Sequence, residues 1–177
     1  MTLIQPDNSI IVSGEPRKDE IKVEVAANMF PGRVVIQGTN DDDAVIAGAG
    51  CIRPMGWLGY ENTHKFYRPA TSATIYTIND QASLLSGGDF RLLAKLASGE
   101  IARKGEFLVV APAGMLKVAS AMTVTIASGT IAVVSDKAQP DELVIGAYGS
   151  EGIIVAKADE YVDASLAAAD IIVLSLI

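Results

Sequence analysis

The 177-residue sequence predicts an all-β fold, a barrel or tulip-like arrangement of short strands, with at most one short helix. Three observations lead there. Short β-branched runs recur along the chain. Turn signals built on glycine and proline separate them. No long segment repeats apolar residues at i, i+3, i+4 and i+7 with caps at both ends, as an amphipathic helix would.

The elements follow in chain order. Residues 1–20 are polar and turn-rich, with Pro6, Gly14, Pro16 and Arg17 among them, and read as an N-terminal arm. The rest, 21–177, reads as one β-rich domain with candidate sub-modules 21–80 and 81–177. Ile21-Lys22-Val23-Glu24-Val25 alternates as a half-buried strand does. Further strands are expected over 33–37, 44–47, 74–78, 90–96, 107–111, 116–119, 123–126, 130–134, 143–147, 152–156 and 171–177. Pro31-Gly32, Ser86-Gly87-Gly88-Asp89, Pro112-Ala113-Gly114 and Ser128-Gly129 supply the preset or positive φ of tight turns. The stretch 163–170, Asp-Ala-Ser-Leu-Ala-Ala-Ala-Asp, is the helix candidate, with Asp163 as its N-cap.

Two short phrases recur. Pro31-Gly32-Arg33-Val34-Val35-Ile36 matches Lys104-Gly105-Glu106-Phe107-Leu108-Val109, and the Gly56 to Glu61 stretch matches Ile145 to Glu151. The order of glycine, apolar strand and glycine–aromatic strand in each half is what duplication of a β module would leave.

Composition bounds the function. Half the residues are apolar, 20% are charged, and mean hydropathy is +0.33. No apolar run approaches the roughly 18 residues of a membrane-spanning helix, so no membrane association is expected. The apolar excess goes into a tight core and into contacts with partners. A net charge of −7 argues against nucleic acid as a partner. From Asp136 onward eight acids face only Lys137 and Lys157, whereas the middle of the chain is mildly basic. The single cysteine, Cys51, excludes an internal disulfide and zinc-ribbon chemistry, and fits synthesis in a reducing cytoplasm.

The residue patterns of catalysis are missing. There is no Gly-x-Ser-x-Gly elbow, no Gly-x-Gly-x-x-Gly and no phosphate-binding Gly-Lys-Ser/Thr. His64, the one histidine, lies in a polar connector. Asp41-Asp42-Asp43 reads as a solvated turn, because the spaced ligands and downstream glutamate of a calcium loop are absent. No catalytic, metal or cofactor site is assigned. The most distinctive stretch, 55–69, holds four of the ten aromatics (Trp57, Tyr60, Phe66, Tyr67) together with Lys65 and Arg68. It suits either a core plug or a partner-binding surface, for which aromatic and arginine anchors are preferred. The expected partner contacts are Trp57, Tyr60, Phe66, Tyr67 and Arg68, with Pro6 and Arg17 of the arm.

Several phrases together carry a resemblance. Phe30-Pro31-Gly32-Arg33-Val34-Val35, Thr39-Asn40-Asp41-Asp42-Asp43, Pro54-Met55-Gly56-Trp57-Leu58-Gly59-Tyr60, the 96–106 stretch, Pro112-Ala113-Gly114-Met115-Leu116 and Val144-Ile145-Gly146-Ala147-Tyr148 resemble head decoration, or cement, proteins of tailed phages. The resemblance spans about residues 25–156. It implies a virion structural protein without enzymatic activity, seated on the outer surface of an icosahedral capsid. There it would stabilise contacts between major capsid subunits and associate as a homo-oligomer, with a trimer favoured. Two other readings stand beside it. One is a different virion component, in the tail tube, neck or baseplate. The other is a β-barrel enzyme or ligand binder in which Asp41, Asp42, Asp43 and His64 converge.

Overall fold

The computed structural model describes residues 9–119 and 152–177. Thirteen strands account for nearly all of its regular structure: β1 (Ile11–Ser13), β2 (Arg17–Val23), β3 (Val34–Gln37), β4 (Asp43–Ile46), β5 (Gly56–Leu58), β6 (Gln81–Ser86), β7 (Arg91–Leu96), β8 (Glu100–Ala102), β9 (Phe107–Val110), β10 (Leu116–Val118), β11 (Ile154–Ala158), β12 (Val162–Ala164) and β13 (Ala169–Ser175). The only helical piece described is a 3-10 turn at Pro112–Gly114.

The strands form two five-stranded barrels. The first closes in the order β2-β4-β3-β5-β6. The second runs β7-β10-β9-β11-β13 and closes where β13 pairs along β7, from Ala169 opposite Leu96 to Leu174 opposite Arg91. Strand by strand the two are wired alike. β2 pairs with β4 in parallel, as β7 does with β10. The β4–β3, β3–β5, β5–β6 and β6–β2 pairs are antiparallel, and so are β10–β9, β9–β11, β11–β13 and β13–β7. The first recurring phrase falls in register on this correspondence, since Gly32 turns into β3 and Gly105 into its counterpart β9. The second phrase reaches residues 145–151, outside the described part of the chain.

Alternation within single strands explains how the barrels join. Val35, Leu58 and Leu84 point into the first barrel with Ile21, Val23, Met29, Ala44, Tyr76 and Ala82. Their sequence neighbours Val34, Trp57 and Leu85 point the other way, into one cluster with Leu92, Leu96, Leu108, Leu116 and Val173 of the second barrel. Strands β3, β5 and β6 are therefore covered on both faces. At the seam Trp57 Nε1 donates to Ser175 Oγ at 3.0 Å, and Arg33 Nη1 donates to the Ala113 carbonyl at 3.1 Å. Two glycines at positive φ let the backbones meet. A Cβ on Gly32 would lie 2.4 Å from the Leu93 carbonyl oxygen, and one on Gly114 would lie 2.7 Å from that of Val34.

β1 adds a further tie. Although β1 leads into the first barrel, it pairs with β7 of the second, and Ile10 is buried in the shared cluster. Residues 9–20, expected within an arm, thus contain β1 and the first part of β2.

Two expectations are corrected. Residues 163–170 are not a helix: Asp163 lies within β12, which ends at Ala164, and β13 begins at Ala169. The Asp163 carboxylate accepts the Ser165 amide at 2.9 Å, so its capping chemistry closes a turn between strands. Residues 74–78 are not a strand either. Only Tyr76 turns inward there, while Ile75 and Ile78 stay exposed. The strands expected at 123–126, 130–134 and 143–147 lie outside the described residues.

Candidate partner-contact surface

The β5–β6 connection carries the aromatic segment, and its two ends are built differently. At its base a buried hydroxyl network fixes the chain. Tyr76 donates to the Gly59 carbonyl at 2.7 Å, Thr63 Oγ1 sits 2.9 Å from the Tyr76 hydroxyl and 3.0 Å from Ser83 Oγ, and the Ser83 amide donates to Thr63 Oγ1. Burial pushes the Tyr76 phenol well above its ordinary value, the Thr63 hydrogen bond opposing. Above this base the Tyr60 hydroxyl donates to the Pro69 and Ala70 carbonyls at 3.2 Å, drawing the two ends of the loop together.

The expected contact residues separate on this frame. Trp57 is fully buried at the seam, and Tyr60 is buried beneath the loop. Both belong to the core plug, and neither offers surface to a partner. Phe66 projects outward, 82% exposed. Tyr67 meets its ring edge-on at 5.1 Å, and the His64 ring lies 6.2 Å from that of Tyr67. The Arg68 guanidinium stacks 5.2 Å over the Tyr60 ring, which holds it in place without neutralising it. His64 Nδ1 accepts the Phe66 amide at 3.3 Å, and the His64 carbonyl accepts the amides of Tyr67 and Arg68. An exposed aromatic is thus presented on a tightly bonded loop, which limits the ordering entropy of docking.

The first described residues, Ser9, Ile10 and Ile11, lie beside this loop. Glu61 Oε1 accepts the Ile10 amide at 2.5 Å and the Ile11 amide at 2.7 Å, and also bonds the Ser9 hydroxyl. Sequence reading overlooked Glu61, because its partners are backbone groups fifty positions away in the chain. Pro6 lies outside the described residues. Arg17 is exposed on β2 and pairs with Asp19 at 3.2 Å.

The other candidates are turn and loop material. Asp41, Asp42 and Asp43 lie at the β3–β4 turn, where Gln37 donates to Asp41, Asn40 donates to Asp43, and Lys22 stands 3.9 Å from Asp43. Among the described residues no group of three or more His, Cys, Asp or Glu side chains could hold a metal ion. Cys51 is half-buried in the β4–β5 connection, beside a shallow cleft of about 630 Å³ lined by Ile36, Gln37, Arg53 and Met55 among others. No described helix is long and apolar enough to cross a membrane.

Over residues 9–176 the sequence matches the family model described as structural cement protein (E217 gp24/Pam3 gp6). The chain belongs to this family. The matched span takes in both barrels, the seam and the Phe66 loop. No curated protein matches the chain. As a phage structural protein, this cement protein stabilises the capsid and associates with capsid proteins in the virion.

Proposed function

We propose that the cement protein binds the outer surface of the icosahedral shell and bridges neighbouring major capsid subunits, acting by docked area and without enzymatic activity. Its contact region is the exposed part of the β5–β6 loop, Phe66, Tyr67 and Arg68, together with the N-terminal segment containing Pro6 and, nearby in sequence, Arg17. The observation that carries this reading is Phe66: a large aromatic, 82% exposed, held out by a loop whose every turn is hydrogen-bonded. Each Å² of apolar surface covered contributes about 25 cal/mol. A ligand that binds the assembled lattice better than loose subunits stabilises the lattice by mass action, multiplied over many equivalent sites. The protein works as a homo-oligomer, with three copies the favoured number.

Shells lacking the cement protein provide the test. Wild-type protein, Phe66→Ala and a variant without residues 1–8 are titrated onto them, with thermal unfolding of each followed in parallel. Both variants are expected to bind more weakly at unchanged melting temperature. Wild-type affinity in both would overturn the assignment of this region.

A further inference from the structure

The shared wiring of the barrels makes the β5–β6 connection of the first and the β11–β13 connection of the second counterparts. These two connections carry the three most exposed large apolar side chains among the described residues. They are Phe66 on one, and Leu166 at 96% with Tyr161 at 62% on the other.

Their charges are opposite. Around Phe66 stand the exposed Lys65 and the half-buried Arg68, while Glu61 turns Oε1 to the Ile10 and Ile11 amides and keeps Oε2 buried, away from the exposed face of the tip. The 159–168 connection contains Asp159, Glu160 and Asp163 and no basic residue. Arg91 and Lys104 both pair with Asp159, and Glu160 accepts the Ile172 amide. Asp163 is exposed, and its bonds from Ser165 hold its carboxyl below the usual range, so it is charged at neutral pH. One chain therefore displays a basic apolar tip and an acidic apolar tip. The exposure of Phe66 and Leu166 means that the tips do not cover each other within a copy.

We propose that the Phe66 loop of one copy docks onto the Leu166 turn of a second copy, with Lys65 and Arg68 facing Glu160 and Asp163. The inference rests on the reading of the Phe66 loop as a contact surface and makes a second copy, in place of the shell itself, what that loop meets, so the loop serves shell binding through the assembly it builds. Two different surfaces meet, so each copy has one of each to offer. The assembly then closes as a ring or makes the contact twice across a two-fold axis.

Sedimentation of the full-length protein tests this. Phe66→Ala and Leu166→Ala should each weaken self-association about thirtyfold, the usual effect of truncating a central anchor. Lys65→Glu sets a second carboxylate against Asp163, and Asp163→Lys sets a second amine against Lys65, so like charges meet in either variant alone. Each variant alone should associate poorly, and an equimolar mixture should recover association, which a merely loosened loop would not do. Wild-type protein that stays monomeric up to its solubility limit, or a mixture no better than its components, would overturn the proposal. Loss of shell binding by Phe66→Ala at unchanged self-association keeps the loop as a contact but rejects the second copy as its partner. Wild-type shell binding and wild-type self-association together would remove the contact itself.

Discussion

Trp57 and Phe66 belong to one aromatic segment and serve opposite ends. Trp57→Ala empties a buried site between the barrels and leaves Ser175 Oγ without its indole donor. The expected loss is about 3–5 kcal/mol of folding stability, read by chemical denaturation. Phe66→Ala removes a side chain already in water, so stability should stay within about 0.5 kcal/mol while shell affinity falls. Tyr76 gives a pH signature. Its phenol ionises near 10.0 when unfolded, and burial raises that value in the folded protein. The native state therefore keeps the proton that the unfolded chain releases. Stability from this group is fully present below pH 10 and declines as pH rises beyond it. Urea unfolding at about pH 9 and about pH 11 should show that decline, and Tyr76→Phe should reduce it. An equal decline in the variant would assign it to other tyrosines.

At the scale of elements, Glu61 fastens β1 to the Phe66 loop through two backbone amides. Glu61→Ala should cost about 1.5–3 kcal/mol, the range for a hydrogen bond to a charged group. It should also speed hydrogen exchange at Ile10 and Ile11 before exchange in β7. Unchanged protection of those amides would show that pairing with β7 alone holds β1. Alternation made some strands legible, and β-branched runs such as Val34, Val35 and Ile36 of β3 made others so. In β2, Ile21 and Val23 alternate with charged neighbours, and in β7 Leu92, Ala94 and Leu96 do the same with Arg91 and Lys95. β6 was missed because Ala82, Ser83, Leu84 and Leu85 are all buried, which erases the alternation, and none of them is β-branched, whereas β5 was read only as the glycine–aromatic strand of the repeat. Residues 163–170 misled because an alanine-rich run after an aspartate carries local helix propensity. Pairing of β12 with β8 and of β13 with β7 overrode it. The contact surface was half legible. Composition located the aromatic segment, but only the fold could tell that Trp57 and Tyr60 face inward and Phe66 outward.

For the whole molecule, the shared core has a consequence for unfolding. Val34, Trp57 and Leu85 of the first barrel belong to the same buried cluster as the interior of the second. Heating should therefore give one calorimetric transition whose van't Hoff and calorimetric enthalpies agree. Two resolved transitions would mean that the barrels are independent modules tethered at the seam. The faint repeat in the sequence also gains meaning at this scale. Duplicated wiring yields two counterpart loops, and divergence of their charge gives one chain two different faces to offer its neighbours. The measurement that bears most directly on the cementing role is the melting of cement-free shells titrated with this protein. Rising shell stability that saturates with occupancy is the predicted result, with a smaller rise for Phe66→Ala at equal added concentration. Shells that bind the protein to saturation yet melt at an unchanged temperature would contradict it.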